Sequence, residues 1–589
     1  MSKQKLNGGI LRRLGGYLWK FKWFLMLAIL LAVVSNVLAL VAPDLSGQAI
    51  DAADINNPAN GGQVQFDIIF RMAALMAICY LVSAILSYSL QLVMIHIARK
   101  VTFRLRQDLF ERLADLPVGF YDSHAPGDIL SRISYDADNI SQTLASDVVH
   151  VFTAVVTIVG SLYMMFRISP PLLLVFTVTI PLAVLLTRFI TKRTRPLFRQ
   201  RSKKLGELND FVEEKISGQK TLKSYNQEEN VLVDFDEEDE TVVEAYYKAE
   251  YYGSTMGPSM NLNTNLSLAL VSILGAAIYI VGGPAAITIG SISSFVLYSR
   301  KFSGPIHEIA NIFSELQSAL AAAERIFGLM DELPEPADPD TAAPIETVQG
   351  EVTLENVEFG YTPEKTILHN FSLKAEPGTT VAIVGPTGAG KSTLINLLMR
   401  FYDIEKGAIA MDGTNITDIT RSSLRLAYSM VLQETWLFYG TIYDNIAFGR
   451  PDATREEVIA AAKAAGIHSF INALPDGYDT ILTDDAANIS KGQKQLLTIA
   501  RAMLMDCSML ILDEATSNVD TRTEKLVQKA MRKLMQDKTC FVVAHRLSTI
   551  RDADQILVVR DGKIVGCGTH DSLMAEGGFY RELYNAQFE

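Results

Sequence analysis

The segment TVAIVGPTGAGKST, residues 380–393, decides the fold of the second half of the chain. Its first five residues are mostly apolar, which is typical of a buried parallel strand. The pattern GxxxxGKS follows at once and leads into an apolar run at 393–400 that indicates a helix. Glycines at this spacing let backbone N–H groups surround phosphate oxygens at a helix N-terminus. The sequence therefore predicts a phosphate-binding loop between a strand and a helix of an α/β domain.

Two polar side chains of this loop have chemically distinct roles. The Lys391 ammonium is expected to neutralise the β- and γ-phosphates, and the Ser392 hydroxyl is expected to ligate Mg²⁺. The cofactors predicted here are thus ATP and Mg²⁺. The loop residues predicted to contact ATP are Gly385, Pro386, Thr387, Gly388, Ala389, Gly390, Lys391, Ser392 and Thr393.

Two further apolar strands end in chemically active residues. Residues 509–512 lead to Asp513 and Glu514, and residues 541–544 lead to His545. Asp513 can hold Mg²⁺, while Glu514 can polarise or deprotonate the attacking water. Because the carboxyl ends of parallel strands share one edge of the sheet, we expect these side chains to lie beside the phosphate loop.

Composition restricts the class of protein. The chain has 589 residues, with 53 Lys and Arg against 66 Asp and Glu, and its net charge of −13 argues against a nucleic-acid partner. Hydrophobic residues make up 49% and charged residues only 20%, which favours a membrane protein. The four cysteines form no CxxC pair, so neither a disulfide framework nor a zinc site is expected.

The first half contains long stretches without charge, at residues 24–43, 72–95, 168–187 and 251–299, and an apolar stretch at 148–166. A hydrocarbon core about 30 Å thick needs roughly 20 helical residues, and Gly282, Gly283 and Pro284 divide the longest stretch into two. A signal peptide does not explain the first stretch, because further spans follow. Six spans are predicted, at about 23–43, 72–95, 148–167, 168–188, 259–281 and 285–305.

Basic residues set the expected orientation. Lys and Arg precede the first span and follow the second and fourth, whereas the loops at 44–67 and 282–284 contain none. Both termini are therefore predicted to be cytosolic. The internal loops 96–147 and 188–250 have helical periodicity, so they should extend the spans tens of ångströms into the cytosol at about 1.5 Å per residue.

The domain organisation follows from these patterns. We expect a cytosolic segment at 1–22, a membrane domain at 23–330, a linker rich in Pro and acidic residues at 331–349, and a nucleotide-binding domain at 350–589. The predicted fold class is an α-helical transmembrane bundle with long cytosolic helical extensions, followed by an α/β P-loop ATPase domain.

The segment NISKGQ at 488–493, followed by an apolar helix at 495–503, resembles the signature motif of ABC transporter ATPases. The whole chain, six spans and then one nucleotide domain, looks like a half-transporter of the ABC exporter type. The spacing of Ser490 and Gln493 also forms S-x-x-Q, which independently predicts a capping box.

The resemblance implies further site residues. Tyr361 would stack on adenine, Gln433 would sense Mg²⁺ and the attacking water, and His545 would contact the γ-phosphate. The signature residues Ser490, Gly492 and Gln493 would face the ATP bound by a second nucleotide domain. The segment Gly119-Phe120-Tyr121-Asp122 would contact the ATPase. Two nucleotide domains, and therefore two half-transporters, are implied.

Three departures from the family pattern bear on the partner. Lys491 replaces the first glycine of the signature pair, Asn518 stands where Leu or Ala is usual, and residues 483–487 lack the usual Glu-Gly. Similar combinations occur in bacterial heterodimeric exporters, in which one subunit has the competent ATPase residues and its sister the better signature. The resemblance therefore favours a heterodimer in the bacterial inner membrane, with a homodimer as the alternative.

The expected function is ATP-driven export of amphipathic small molecules or drugs, with membrane lipid as a further partner. A lipid or lipid-linked flippase is the alternative within transport, and an ATP-gated channel or regulator is the alternative of another class. An ABC importer is disfavoured, because its membrane and ATPase parts are usually separate chains.

Overall fold

A computed structural model describes residues 8–55, 57, 60–284, 286–362, 364–432, 435–482, 488–513, 521–543 and 550–588. The chain forms two compact units. The first comprises Met1–Ala114 and Pro126–Glu332, and the second comprises Asp115–Ala125 and Leu333–Glu589. The second unit thus includes a short segment that lies, in sequence, between helices of the first.

The first unit is built from long helices, as its extended apolar runs predict. Its helices are α1 Gly8–Trp19, α2 Lys22–Ala53 and α3 Phe66–Ala114, then, after α4 Val118–Ser123 of the second unit, α5 Pro126–Ser131, α6 Ala137–Gln142, α7 Val148–Ile168, α8 Leu174–Ser217, α9 Gln219–Ser224, α10 Glu228–Gly253, α11 Met256–Gly282 and α12 Ile289–Met330. The helical extensions predicted beyond the second and fourth spans are confirmed, because α3 continues to Ala114 and α8 to Ser217.

Five helical stretches in the described part of the chain are long and apolar enough to cross a membrane. They are Lys22–Ala53, Phe66–Ala114, Pro126–Ile168, Pro170–Ser217 and Glu228–Gly282. Only 6% of the most apolar window of Phe66–Ala114 is buried within the chain, as suits a helix surrounded by lipid. The sixth predicted span, 285–305, falls on the start of α12, which is not among the five because Arg300 and Lys301 interrupt its apolar stretch. That span stays a prediction.

The helix between α5 and α7 is irregular. Two π-helical turns, Arg132–Asp136 and Thr143–Asp147, flank α6. Asp136 is only 2% exposed. The Arg325 guanidinium of α12 donates to both carboxylate oxygens of Asp136, with 2.8 Å between Nε and Oδ2. A buried charge requires such a partner, so this ion pair fixes the irregular segment against α12.

The second unit contains two main sheets. Its strands are β1 Val352–Phe359, β2 Leu368–Ala375, β3 Thr380–Val384, β4 Lys406–Met411, β5 Thr414–Asn415, β6 Tyr428–Val431, β7 Gly440–Thr441, β8 Ile481–Leu482, β9 Met509–Asp513, β10 Thr539–Val543, β11 Gln555–Arg560 and β12 Lys563–Gly568. One sheet has the order β12-β11-β3-β10-β9-β6, the other the order β2-β1-β4-β5, and β7 pairs with β8. The three apolar strands expected from the sequence are confirmed as neighbours in the six-stranded sheet.

Helices of the second unit pack either on its sheets or on one another. They are α13 Lys391–Leu398, α14 Arg421–Leu426, α15 Ile442–Ala447, α16 Arg455–Ala464, α17 His468–Asn472, α18 Lys491–Met505, α19 Thr521–Met535, α20 His570–Glu576 and α21 Gly578–Phe588. Two hydrophobic clusters result. One packs α18 and α19 against the sheet, and the other joins α13 and the four-stranded sheet to it.

The acidic segment expected as a linker is held in place where it enters the second unit. The Asp338 carboxylate accepts hydrogen bonds from Arg421 Nη1 and from the Arg421 backbone N–H, both at 2.9 Å. Arg400, only 5% exposed, also lies within 3.5 Å of Asp338. These buried guanidinium groups bind the start of the segment to the second unit.

Candidate ATP-binding site

The sheet brings several predicted site positions to one edge. Strands β3, β10, β9 and β6 are parallel neighbours, with Val543 opposite both Ile383 and Asp513. Asp513 ends β9 at the level where β3 passes into the phosphate loop. The sequence prediction that these strand ends share an edge is therefore confirmed for the described residues.

Three predicted catalytic residues, Gln433, Glu514 and His545, lie outside the described residues. The strands that precede them are described, and they end at Val431, Asp513 and Val543. Their assignments as water sensor, base and γ-phosphate contact stay predictions.

The phosphate loop needs glycine at two positions for different reasons. A Cβ on Gly385 would lie 2.1 Å from the carbonyl oxygen of Val559 in β11. Gly390, the N-cap of α13, has a φ of 102°, in the left-handed region that other residues rarely adopt. The loop can therefore pass close to β11 and turn directly into the helix, which leaves backbone N–H groups at its N-terminus.

Lys391 is the first residue of α13, and it is only 9% exposed. Its Nζ donates to the carbonyl oxygens of Gly385 and Pro386 at 2.8 and 2.9 Å. Burial lowers the pKa of the Lys391 ammonium, and the negative charge of Asp513 opposes that shift. The side chain thus folds back across the loop, where a positive charge suits phosphate oxygens.

The remaining loop residues differ in exposure. Pro386, Thr387 and Gly388 are exposed at the tip, while Ala389 and Gly390 are buried against the domain. Ser392 is exposed and Thr393 is buried. The Ser392 hydroxyl and the Asp513 carboxylate are oxygen donors of the kind that Mg²⁺ prefers, so the residues present fit this ion.

Tyr361 lies beside the first turn of α13. Its hydroxyl donates to Thr393 Oγ1 at 3.3 Å and accepts a hydrogen bond from Asn396 Nδ2 at 3.2 Å. The residue is 46% exposed, so part of its ring remains accessible. This position, next to the phosphate loop, is compatible with the predicted stacking on adenine.

Tyr402 is a site residue that the sequence did not indicate. Its ring packs edge-on against Tyr361, with centroids 5.0 Å apart, and its hydroxyl donates to Asp122 Oδ2 at 2.5 Å. A Cβ on Gly119 would lie 2.9 Å from this ring. Burial and the hydrogen bond to Asp122 raise the pKa of Tyr402, so the hydroxyl remains a donor at neutral pH. The expected contact of residues 119–122 with the nucleotide domain is confirmed.

The signature segment forms the predicted capping box. Gln493 N–H donates to Ser490 Oγ at 3.3 Å, and Ser490 N–H donates to Gln493 Oε1 at 2.8 Å, at the start of α18. Gly492 is buried, whereas Lys491 is exposed, and its ammonium forms no hydrogen bond or ion pair with the described residues. Residues 483–487 lie outside the described part of the chain, as does Asn518.

A phosphate loop at the edge of a parallel sheet, in a chain with several apolar membrane-length helices, defines a membrane-embedded P-loop nucleotide hydrolase. Family models specify the class. The ABC transporter transmembrane region matches residues 25–306, and the ABC transporter model matches residues 368–517. The chain belongs to the ABC transporter family.

Relatives extend over nearly the whole chain. The uncharacterized ABC transporter ATP-binding protein YfiC of Bacillus subtilis is 40% identical, over 100% of this chain and 96% of its own length. A fatty acid ABC transporter ATP-binding/permease protein of Mycobacterium bovis is 43% identical, over 90% of this chain and 83% of its own length. The putative multidrug export ATP-binding/permease protein YgaD of Bacillus subtilis is 35% identical, over 98% of this chain and 99% of its own length.

These matches confirm the fold class and the expected ATP hydrolysis coupled to transport. The chain is a half-transporter of the ABC exporter type, a multi-pass membrane protein whose ATP hydrolysis is coupled to transport. Exporters of this family act as dimers, so a second half-transporter completes the functional unit.

Proposed function

We propose that this exporter moves amphipathic small molecules, fatty acids and drugs among them, out of a bacterial cell across the inner membrane. The observation that carries the proposal is the similarity, over 90% or more of this chain, to relatives named for fatty acid transport and for multidrug export. Both names describe molecules with an apolar body, a class that a hydrocarbon-embedded transporter can collect from the bilayer. The orientation that suits export places both termini in the cytosol.

The ATPase residues have separate tasks in this proposal. The loop N–H groups and Lys391 bind the phosphates, and Tyr361 holds the adenine ring. Ser392, Asp513 and Gln433 would hold Mg²⁺, which when bound neutralises phosphate charge. Glu514 acts as the general base for water, and His545 contacts the γ-phosphate.

The second ATP contact comes from the partner in this proposal. Ser490 and the N–H groups at the start of α18 are suited to an anion, because a helix N-terminus carries partial positive charge. Lys491 is exposed beside this cap, and a bulky cation there alters the surface offered to a partner's ATP. We therefore favour a heterodimer in which the sister supplies the glycine-containing signature for this chain's own phosphate loop.

The cargo experiment uses sealed liposomes that contain the purified exporter, with ATP added on the side of the nucleotide domains. We expect ATP-dependent accumulation of a long-chain fatty acid or an amphipathic dye against its gradient, and none with Glu514→Gln. Downhill flux alone would identify a channel. Movement of a labelled phospholipid between leaflets, with no movement of the other two probes, would identify a lipid flippase.

The dimer experiment compares the chain alone with the chain co-expressed with a related half-transporter. Size and ATPase activity are measured for both, and for Lys491→Gly expressed alone. In the heterodimer proposal, the chain alone hydrolyses ATP slowly and Lys491→Gly increases its rate several-fold. A stable homodimer with full, cargo-stimulated activity would contradict the proposal.

A further inference from the structure

A cavity of about 400 Å³ lies in the first unit between α3 and the segment formed by α6 and the following π-helical turn. It sits where the charge-free run of α3 ends, since residues 72–95 carry no charge and Arg99 is the next charged residue. A charge-free run followed by Arg99 and Lys100 is the pattern expected where a helix passes from hydrocarbon to headgroups. The cavity is lined by Ile95, Ala98, Arg99, Thr102, Phe103, Arg106, Asp138, Ser141 and Ala145.

One side of the cavity is apolar. Ile95, Ala98 and Phe103 line it from α3, and Ala145 lines it from the opposite segment. Ile95 is 48% exposed and Phe103 is 66% exposed, so the apolar side is continuous with the outer surface of α3. The volume of the whole cavity is within the range of about 300–1,000 Å³ found for small-molecule sites.

A buried hydroxyl in the cavity wall has no partner. Thr102 is only 5% exposed, and its Oγ1 forms no hydrogen bond with any residue in the described part of the chain. Buried polar atoms in folded proteins are nearly always hydrogen-bonded, so an exception at a cavity indicates a missing polar partner. A ligand oxygen in the cavity would supply that partner.

The two cations of the cavity have different surroundings. Arg106 donates to Asp138 Oδ1 at 2.7 Å and to the Ile133 carbonyl oxygen at 3.0 Å, so its charge is compensated. Arg99 is exposed and forms no ion pair with the residues that the structure describes. Thr102 lies one helical turn after Arg99, on the same face of α3. The cavity therefore offers one uncompensated positive charge beside one unpaired hydroxyl.

We propose that this cavity binds an amphiphile with an anionic headgroup. Its phosphate or carboxylate oxygens contact Arg99 and Thr102, and its hydrocarbon part lies against Ile95 and Phe103. An anionic phospholipid of the bilayer and a free fatty-acid anion share this chemistry. The site is separate from the ATP-binding residues, and the inference does not depend on the transported cargo.

The experiment measures amphiphile binding to the full-length exporter in detergent by native mass spectrometry. Phosphatidylglycerol, oleate and phosphatidylcholine are titrated separately onto delipidated protein. The variants are Arg99→Gln, Arg99→Lys and Thr102→Val, and the matched control is Lys100→Gln. The control removes the same charge from the neighbouring residue, which does not line the cavity.

We expect one phosphatidylglycerol or oleate per chain to bind more tightly than phosphatidylcholine. Arg99→Gln should weaken that binding about tenfold, as expected for a lost charge-assisted hydrogen bond, and Thr102→Val a few-fold. Arg99→Lys should retain most of the affinity, which separates a lost charge from misfolding. Tight binding of phosphatidylglycerol alone identifies a bilayer lipid, and that of oleate alone identifies a free amphiphile.

Two results would overturn the inference. One is an equal loss of affinity in Arg99→Gln and Lys100→Gln, which would indicate general attraction of anions to a basic helix. The other is wild-type protein that binds all three amphiphiles with the same affinity.

Discussion

Lys391 and Lys491 occupy the same position in two helices, each being the first residue after the N-cap, yet their surroundings are opposite. Lys391 is buried, with its ammonium bonded to two carbonyls of its own loop. Lys491 is exposed, and no residue in the described part of the chain accepts a hydrogen bond from its ammonium. In the proposed mechanism, the first lysine completes the phosphate site of its own chain, whereas the second lies on the surface that faces the ATP of a partner. Helix position alone therefore does not assign a lysine to the phosphate site.

The largest effect is expected from Lys391→Ala. Removing the buried ammonium should weaken ATP binding and lower hydrolysis about a thousandfold, a loss typical of a preorganised electrostatic group. Nucleotide affinity and ATPase rate are measured on the purified exporter. Lys491→Ala is the matched control, and it should bind ATP as the wild type does. Equal losses in both variants would remove the distinction between the two lysines.

Glu514→Gln should lower hydrolysis about a hundredfold or more, because it removes a general base from the chain's own site. ATP affinity should remain within about threefold of wild type, since the phosphate loop is unchanged. Single-turnover hydrolysis and equilibrium nucleotide binding separate these two quantities. Normal turnover in this variant would assign the base to another residue.

Ser490→Ala tests the exposed surface itself. Loss of an N-cap hydroxyl costs about 1 kcal/mol of stability, and loss of the proposed contact to a partner's ATP should lower ATPase about tenfold. Thr454→Ala is the control, because Thr454 and Glu457 form the same capping box at α16. Thermal unfolding should shift similarly in both variants. If ATPase also falls equally in both, Ser490 is only a cap.

The smallest effect is expected from Tyr402→Phe. The variant keeps the ring beside Tyr361 but removes the hydroxyl that donates to Asp122. ATP affinity should remain unchanged, while cargo stimulation of the ATPase should fall about two- to threefold, because a hydrogen bond to a charged group contributes about 1.5–3 kcal/mol before solvent exposure reduces it. Unchanged stimulation would show that this bond is not used in coupling.

The sequence was sufficient to predict elements that depend on residues close together in the chain. The strand before Gly385, the helix beginning at Lys391 and the capping box at Ser490 each depend on residues close in sequence, and all three are confirmed. The shared edge of β3, β9 and β10 was also predictable, because parallel strands after a phosphate loop follow a known order.

Long-range contacts were less predictable. Nothing in the sequence around Tyr402 distinguishes it from a packing residue, and its hydroxyl donates to Asp122, which lies far away in the chain. Similarly, the unpaired hydroxyl of Thr102 becomes visible only when α3 is placed against α6. The sixth span was ambiguous for a different reason, since Arg300 and Lys301 leave α12 with a short apolar stretch.

The bond between Asp122 and Tyr402 also has a consequence for biosynthesis. The two residues are 280 positions apart, although both belong to the second unit. At about 5–20 residues per second, roughly 15 to 60 seconds pass on the ribosome between the synthesis of one partner and that of the other. Residues 115–125 are therefore synthesised before most of the membrane helices, and the hydrogen bond from Tyr402 to Asp122 can form only after those helices have been made. Expression of residues 333–589 alone would therefore produce a domain in which Tyr402 lacks its Asp122 acceptor.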